Sequence, residues 1–479
     1  MAVTTSEVRV SFRGEGAGVG ELTWGQMGIW RMTRATGRTM NLVVKMPLPP
    51  GTPLGEMTAL LRYIVGHHPS LRTRLSFVDG PDGKQPPRQV VAEAGELPLQ
   101  ILDADGGEDP AEVAEDLRGR YERAWFDYEH EFPVRMGVVR RDGALTHLVV
   151  GYNHMMVDAA GLLALSDGLA QFDAAAGEVP GARPGFSALD LALAQGGPGG
   201  RRQSERCIRY WSGQLEQLPA WRTEGGAEHR EPRYWELAAY SPALALGLRA
   251  VAARTKVGTT YVLLAAYSVA VARVMGRNPN IAQIVVSNRF RPGMAEAVTQ
   301  ISQHGVCVVD VADSTFDEVV GRAWKTATSA SMHSYYNPVE RDRLLDAIAA
   351  RQGHPLDIDW HLNDRRMLEF EEEGVPAGTD LEAAFEDALP RTTMYWDRKL
   401  PTSDGTFFVH VDSQPDRNNP GRVELDAGDP AAFLEVWADM HHFTPAEVEG
   451  FVREMDAIVA AAALDPMLPT GVHREPADG

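Results

Sequence analysis

A histidine and an aspartate stand four residues apart where a predicted buried strand gives way to a predicted apolar helix. They are His154 and Asp158, in the segment Tyr152-Asn-His-Met-Met-Val-Asp-Ala-Ala-Gly161. An imidazole at such a junction could accept a proton from an amine or hydroxyl nucleophile, or hydrogen-bond to it. His154 could also be a packed histidine, and Asp158 could be a helix N-cap that accepts from first-turn amides. The spacing alone leaves the catalytic and the structural interpretations open.

The elements that would position these residues follow from hydrophobic periodicity. Residues 145–152 are mostly apolar, which is typical of a buried strand, and residues 159–176 carry leucines at helical spacing. Thr444 and Glu447 have the spacing of a capping box at the start of a closing helix. The same patterns predict further strands at 7–12, 281–287 and 306–311, and helices at 57–66, 209–218, 260–275 and 444–462. Because strands and helices mix without strict βαβ alternation, an α+β sandwich is favoured in each half.

A Gly/Pro-rich stretch interrupts this pattern near the middle of the chain. Glycine and proline recur from Gly177 to Pro184 and again at Gly196-Gly-Pro-Gly-Gly200. Such composition indicates a linker between two lobes. We therefore predict an N-terminal lobe at 1–180, a linker at 181–200 and a C-terminal lobe at 201–479.

Composition excludes several classes of function. The chain has 479 residues and a formal charge of −20, so its field repels nucleic acids. No run of eighteen apolar residues and no signal-peptide pattern occurs, so we expect no membrane partner. Cys207 and Cys307 permit one disulfide but no cysteine framework or Cys-rich metal site. A cytoplasmic monomer is expected.

The segment around His154 resembles the active-site motif H-H-x-x-x-D-G of the condensation domains of nonribosomal peptide synthetases. His154 matches the second histidine and Asp158 the aspartate, whereas Asn153 replaces the first histidine and Ala159 the glycine. The remaining H-x-x-x-D is shared by the wider chloramphenicol-acetyltransferase-like superfamily. The local match is therefore partial.

Further stretches resemble condensation-domain signatures in the right order along the chain. They span about residues 20 to 455, and each matches a separate family segment: Leu22-Thr-Trp-Gly-Gln-Met-Gly-Ile-Trp30, His68-Pro-Ser-Leu-Arg-Thr-Arg-Leu75, Phe126-Asp127 with Pro133-Val-Arg135, Tyr210-Trp211, the helix from Thr260 to Gly276, and Ser287-Asn-Arg-Phe-Arg-Pro292. A series in this order is more specific than one short motif.

The resemblance implies two chloramphenicol-acetyltransferase-like α/β sandwich lobes in a V with a central tunnel. Acyl or peptidyl carrier proteins would dock at its two mouths and bring phosphopantetheine thioesters, and the enzyme would need no metal or cofactor of its own. His154 and Asn153 would be the catalytic pair. Asp158 would pair with Arg289 of the second lobe, in a structural role.

The departures from the family pattern affect the expected tunnel. Ala159, at the active site, adds a methyl group where the family has glycine, which would narrow the site. The usual I-G-x-F-V-N-T stretch reads Val298-Thr-Gln-Ile-Ser-Gln-His304, so Gln303 stands where the family has asparagine. The residues expected to line the tunnel are Gln303, Ser302, Trp24 and Gln26.

No carrier-type L-G-G-x-S serine and no adenylation-type phosphate loop occurs. We therefore expect a free-standing condensation enzyme that forms an amide or ester from carrier-bound substrates received in trans. Arginines at 201, 202, 206 and 209, or at 289 and 291, would supply positive docking patches for acidic carriers, and a solvated charged segment is an equally good interpretation. Two alternatives stay open: a catalytically weakened homologue that recruits another protein, and a coenzyme A-dependent acyltransferase. Sequence signatures of phosphate-binding loops and zinc proteases are absent.

Overall fold

The computed structural model describes residues 3–78, 85–104, 106–183, 185–216, 218–219, 230–366, 374–397, 406–413 and 431–474. Their contacts divide the chain into two compact units. Unit 1 comprises Met1–Gln203 and Ser287–Gln303, and unit 2 comprises Ser204–Val286 and His304–Gly479.

Unit 1 combines helices with two β-sheets. Its described elements are β1 (Thr4–Arg13), β2 (Gly18–Glu21), α1 (Trp24–Thr36), β3 (Asn41–Pro47), α2 (Leu54–His67), β4 (Thr73–Ser76), β5 (Arg88–Val91), β6 (Ala94–Asp103), α3 (Pro110–Arg123), β7 (Val134–Arg141), β8 (Ala144–Asn153), α4 (Ala159–Leu169), α5 (Ala188–Gly196) and the beginning of α6 (Pro198–Leu215). The larger sheet has the order β1-β6-β7-β8-β3 and the smaller one β2-β5-β4.

Both faces of the larger sheet are covered, which explains why β8 appears in the sequence as an almost continuous apolar run. Val138 and Val150 pack into a core cluster that contains residues of α2. Their neighbours Val139 and Val149 pack into a second cluster with α3. Consecutive strand residues point to opposite faces, so a strand buried on both sides needs apolar residues throughout. The predicted strand at 145–152 is confirmed on this basis.

Unit 2 is built around one seven-stranded sheet of order β11-β10-β12-β14-β15-β9-β13. Its described elements are β9 (Tyr234–Ser241), α7 (Pro242–Thr255), α8 (Thr259–Met275), β10 (Asn280–Val286), β11 (Gln303–Val309), α9 (Phe316–Met332), α10 (Pro338–Gln352), β12 (Trp360–Asp364), α11 (Leu381–Ala388), β13 (Thr393–Asp397), β14 (Phe407–Asp412), β15 (Ala432–Asp439) and α12 (Pro445–Leu464). The mixture of strands and helices in both units agrees with the predicted α+β class.

Two helices of unit 2 follow the sequence prediction closely. Every residue of α8 from Val262 to Ala272 is buried, as its apolar composition indicated. Helix α12 begins after Thr444, whose hydroxyl accepts from the Glu447 amide while the Glu447 carboxylate accepts from the Thr444 amide. In the described part of the chain no single helix is long and apolar enough to span a membrane, and only the sharply bent pair α7–α8 reaches that length and composition together. Cys207 and Cys307 are buried free thiols.

The helix predicted at 159–176 ends earlier, at Leu169. The physical cause is Asp173, whose carboxylate accepts hydrogen bonds from the amides of Ala175 and Ala176 at 2.9 and 3.0 Å. A short acidic side chain that bonds the following amides competes with the helix and favours a turn. The apolar spacing up to Phe172 could not reveal this competition.

The predicted linker at 181–200 is partly helical. Helix α5 covers 188–196, and α6 begins at Pro198 rather than near Arg209. At Gly200, a Cβ atom would lie 2.1 Å from the carbonyl oxygen of Gln195, so the glycine permits a tight turn between two helices. The unit boundary follows Gln203, and a second stretch, Ser287–Gln303, belongs to unit 1 although it was predicted within the C-terminal lobe.

Candidate functional site

The loop from Asn153 to Asp158 connects β8 to α4 and carries His154. The carboxamide oxygen of Asn153 accepts from the Met155 amide at 3.0 Å, and its carbonyl oxygen accepts from the Met156 amide at 3.0 Å. The His154 amide donates to the carbonyl oxygen of Met40 at 2.9 Å. The backbone on both sides of His154 is therefore fixed by hydrogen bonds.

Packing of buried apolar side chains also fixes this loop. Met155, Met156 and Val157 are buried, whereas His154 is only half-buried. Met155 and Met156 belong to a small core cluster that includes Trp30 of α1. The buried apolar residues therefore anchor the loop, and the imidazole of His154 remains partly accessible to solvent.

The imidazole of His154 forms no hydrogen bond through Nδ1 within the described part of the chain. The Nδ1 atom is buried. A catalytic triad would place a carboxylate against this nitrogen. His154 lacks that arrangement, and the carboxylate four residues away bonds to other groups.

Asp158 is 2% exposed and receives hydrogen bonds on both carboxylate oxygens. Oδ1 accepts from the Gly161 amide at 2.7 Å and lies 2.7 Å from Nη2 of Arg289. Oδ2 accepts from the amides of Ile301 and Ser302 at 3.0 and 2.9 Å, from the Ser302 hydroxyl at 2.7 Å, and from Nη1 of Arg289 at 3.1 Å. Asp158 is therefore both the N-cap of α4 and a buried ion-pair partner.

The electrostatics of Asp158 follow from these contacts. Burial by itself would raise the pKa of Asp158, but the Arg289 guanidinium and the hydrogen bonds from Ile301 and Ser302 outweigh burial and bring the pKa below its usual value. The carboxylate therefore stays ionised at neutral pH, which suits a structural anchor better than a proton acceptor.

Arg289 binds backbone carbonyls of its own segment, Ser287–Gln303, as well as Asp158. Its Nη2 atom also donates to the carbonyl oxygens of Ala297 and Thr299, at 2.8 and 3.1 Å. The prediction that Arg289 pairs with Asp158 agrees with this geometry, but its assignment to the second lobe does not. The segment Ser287–Gln303 clusters with unit 1, so the ion pair lies within one unit.

The remaining residues predicted to lie at the site differ in their contacts and burial. Ser302 binds Asp158, and Ala159 is the exposed first residue of α4. Gln303 is buried at the start of β11, and its role in substrate binding stays a prediction. Trp24, at the start of α1, is 7% exposed.

Gln26 was expected to line the tunnel, but its side chain is used inside unit 1. It is fully buried, and its carboxamide oxygen accepts from the Thr23 amide at 2.8 Å in a capping box of α1. Its Nε2 atom lies 3.6 Å from the sulfur of Met156. Gln26 therefore supports the loop that carries His154, because it connects α1 to that loop.

Gly161 lies at the site, although no role was predicted for it from the sequence. A Cβ atom at this position would lie 2.8 Å from Cγ2 of Val157, 2.9 Å from Nη2 of Arg289 and 3.1 Å from Oδ1 of Asp158. The absence of a side chain therefore makes room for the ion pair. Glycine destabilises a helix interior relative to alanine. A glycine three residues after the aspartate, inside a predicted helix, could therefore have indicated a close contact at this position.

We expect Gly161→Ala to destabilise the protein by about 1–3 kcal/mol, since the new methyl group must displace the ion pair or Val157. Gly168→Ala is the matched control, because nothing lies within 4 Å of its Cβ position on the same helix. The control should be neutral or up to about 1 kcal/mol more stable. Denaturant unfolding measures both changes, and equal stabilisation by the two variants would contradict the tight geometry.

No metal site accompanies these residues: within the described ranges, no three His, Cys, Asp or Glu side chains are grouped so that they could hold an ion.

Comparisons with known proteins identify a matching family and a similar synthetase. The family model for the condensation domain matches residues 21–347. The nonribosomal peptide synthetase kk1B of Curvularia clavata is 27% identical over 290 residues, which cover 58% of this chain but 2% of the synthetase. The chain therefore spans a small part of that curated relative's length.

Two solved structures show a similar fold. The X-domain in its complex with OxyB from teicoplanin biosynthesis is 16% identical, with 96% of each chain covered and a TM-score of 0.66. The condensation domain of chain release from the enacyloxin polyketide synthase is 19% identical, with 96% of this chain and 85% of that chain covered and a TM-score of 0.67. At these identities the likeness concerns the fold.

Proposed function

The chain belongs to the condensation-domain family, and from this premise we propose that it transfers an acyl or aminoacyl group from a carrier-protein thioester to an amine or hydroxyl nucleophile in natural-product biosynthesis. Members of the family generally catalyse amide-bond formation. The proposal adds the thioester donor, the two classes of acceptor and the residue that acts on them.

The observation that carries the proposal is the presentation of His154. Its backbone is fixed by hydrogen bonds and buried neighbours, while its half-buried imidazole is left without an internal partner. A rigid loop that presents an uncommitted imidazole is suited to orient a nucleophile and to take its proton. Asp158 supports this loop from the far end and is not itself the base.

In the proposed step the nucleophile attacks the carbonyl carbon of the thioester. The new C–N or C–O bond forms, the C–S bond breaks, and the thiol leaves on the phosphopantetheine arm of the donor carrier. The proton lost by the nucleophile passes to the ring of His154 and then to the departing sulfur. Atoms and charge balance without a metal or a further cofactor.

We assign Asn153 a positioning role in this step, in place of the catalytic role expected from the motif. Its side chain is 3% exposed, and its oxygen is occupied by the Met155 amide. Asn153 therefore holds the turn in which His154 stands.

We propose carrier proteins in trans as partners. Helix α6 exposes arginines on a chain whose net charge is −20: Arg201, Arg202, Arg206 and Arg209. Local positive patches can bind an acidic carrier despite repulsion at long range, because salt screens the distant charges.

A carrier-dependence experiment tests the function. The same acyl group is presented on a phosphopantetheinylated carrier protein and on coenzyme A, and amide or ester formation is followed by mass spectrometry. We expect the carrier-bound donor to react at least tenfold faster. Equal rates would support a coenzyme A-dependent acyltransferase instead.

A recruitment role is the second candidate, because Asn153 replaces a motif histidine and one similar structure is an X-domain bound to OxyB. Stable binding of a carrier or tailoring enzyme without turnover of any loaded donor would favour recruitment over catalysis.

A further inference from the structure

Three polar side chains converge on one face of the seven-stranded sheet of unit 2. Gln283 on β10 and His361 on β12 lie directly opposite each other in the parallel pairing of these strands. The ring of His304, on β11, has its centroid 4.8 Å from that of His361. We call Gln283, His304 and His361 the histidine cluster.

The hydrogen-bonding groups of the histidine cluster are largely unpaired among the described residues. His361 is 4% exposed, and both of its ring nitrogens are buried without a partner. Gln283 donates from Nε2 to the carbonyl oxygen of Ile358 at 2.9 Å, but its buried oxygen accepts nothing. His304 is half-buried and is the most exposed of the three residues.

Such an arrangement is costly unless a ligand or water completes it. A buried polar group without a hydrogen bond costs about 1–3 kcal/mol, and few groups in a folded protein pay that cost. Phe408 stacks on His361 with ring centroids 4.7 Å apart, which covers the face of the imidazole but leaves its nitrogens unsatisfied. The cluster thus combines an apolar wall with unused donors and acceptors.

Both imidazoles are neutral at physiological pH. Burial and the nearby Arg341 guanidinium lower the pKa of His304 to about 4. Burial, followed by His304, Arg341 and His410, lowers the pKa of His361 well below its usual value. A neutral imidazole offers one donor and one acceptor, and a buried site without a charge of its own disfavours an ionic ligand.

We propose that the histidine cluster is a binding site for a primary carboxamide. Together the cluster presents three N–H donors, one from each imidazole and the second hydrogen of Gln283 Nε2, and three acceptor atoms, from the two imidazoles and the Gln283 oxygen. A primary carboxamide offers two N–H donors and an oxygen with two lone pairs, which complements this set better than a hydroxyl with one donor. The site is independent of the function proposed for His154.

Nuclear magnetic resonance of the full chain labelled with ¹⁵N-histidine tests the site. The probes are butanamide, butyrate and butylammonium, which share a carbon chain and differ in the polar group. We expect butanamide to shift the ring nitrogens of His361 and His304 saturably at pH 7, and the two ions to bind at least tenfold more weakly. The wild-type titration requires no variant to fold.

A variant and a matched control identify the residues. His361→Phe keeps an aromatic ring beside Phe408 and removes both nitrogens, so butanamide affinity should fall at least tenfold. His130→Phe, at a histidine whose side chain is 80% exposed in unit 1, should leave it unchanged. Absence of a saturable shift would mean that water alone completes the cluster, and equal shifts with all three probes would mean unspecific binding; either result overturns the proposal.

Discussion

His154→Ala is expected to lower the rate of acyl transfer by about 10²–10⁴-fold, the range for a positioned acid–base group. The fold should persist, because the imidazole is half-buried and its Nδ1 atom has no partner that the substitution would strand. The measurement is kcat/KM with a carrier-bound donor, together with the melting temperature of each variant.

His130→Ala is the control for this prediction, since its side chain is 80% exposed and lies in the same unit. It should retain full activity. A well-folded His154→Ala variant with the activity of the wild type would remove His154 from the mechanism. Partial restoration of the variant by added imidazole would support proton transfer over a purely steric role.

Asp158→Ala is expected to cost about 3–5 kcal/mol of folding free energy, because it leaves the Arg289 guanidinium buried without its carboxylate. The side chains are 2% and 11% exposed. Arg289→Ala should have a similar effect, and the double variant should lose less than the sum of the two, since either single change already removes the pair. Denaturant unfolding of the four proteins measures this coupling.

Asp109→Ala provides the comparison for a helix cap without an ion pair. Asp109 is exposed and caps α3 through the Ala111 amide at 3.0 Å. Its loss should cost about 1 kcal/mol. If Asp158→Ala costs no more than this and adds independently to Arg289→Ala, the ion pair contributes nothing to stability.

The contribution of Asp158 to stability depends on pH with a definite sign. The pKa of Asp158 is lowered in the folded protein, so its stabilisation is present above the unfolded value of about 3.9 and is lost as pH falls through the folded value. The difference in stability between wild type and Asp158→Asn should therefore be constant near neutral pH and shrink below about pH 4. A difference that grows on acidification would contradict the assignment.

Local features of the fold and of the site were predictable because they depend on residues that are close together in the sequence. The apolar run of β8, the capping box at Thr444 and the cap at Asp158 each follow from residues within a few positions of one another. The capping box of Thr23 and Gln26 has the same short signature, and its T-x-x-Q spacing could have revealed that Gln26 is structural.

Long-range features were not predictable from periodicity. The Ile301 and Ser302 amides reach Asp158 across more than 140 positions, because Ser287–Gln303 belongs to unit 1. Only the family resemblance indicated Arg289. Likewise, the meeting of His304 with His361 depends on the strand order β11-β10-β12, which no local pattern encodes.

A single-turnover measurement tests whether the chain transfers an acyl group from a carrier protein to an amine or hydroxyl. Acyl and peptidyl carrier proteins are loaded with a panel of acyl and aminoacyl groups and mixed with excess enzyme and amine or hydroxyl acceptors. Intact carrier and product are followed by mass spectrometry. We expect one donor to lose its acyl mass at the rate at which an equal amount of amide or ester appears, and His154→Ala to slow both together. Donors that stay loaded, or lose their acyl group only to water, would contradict it.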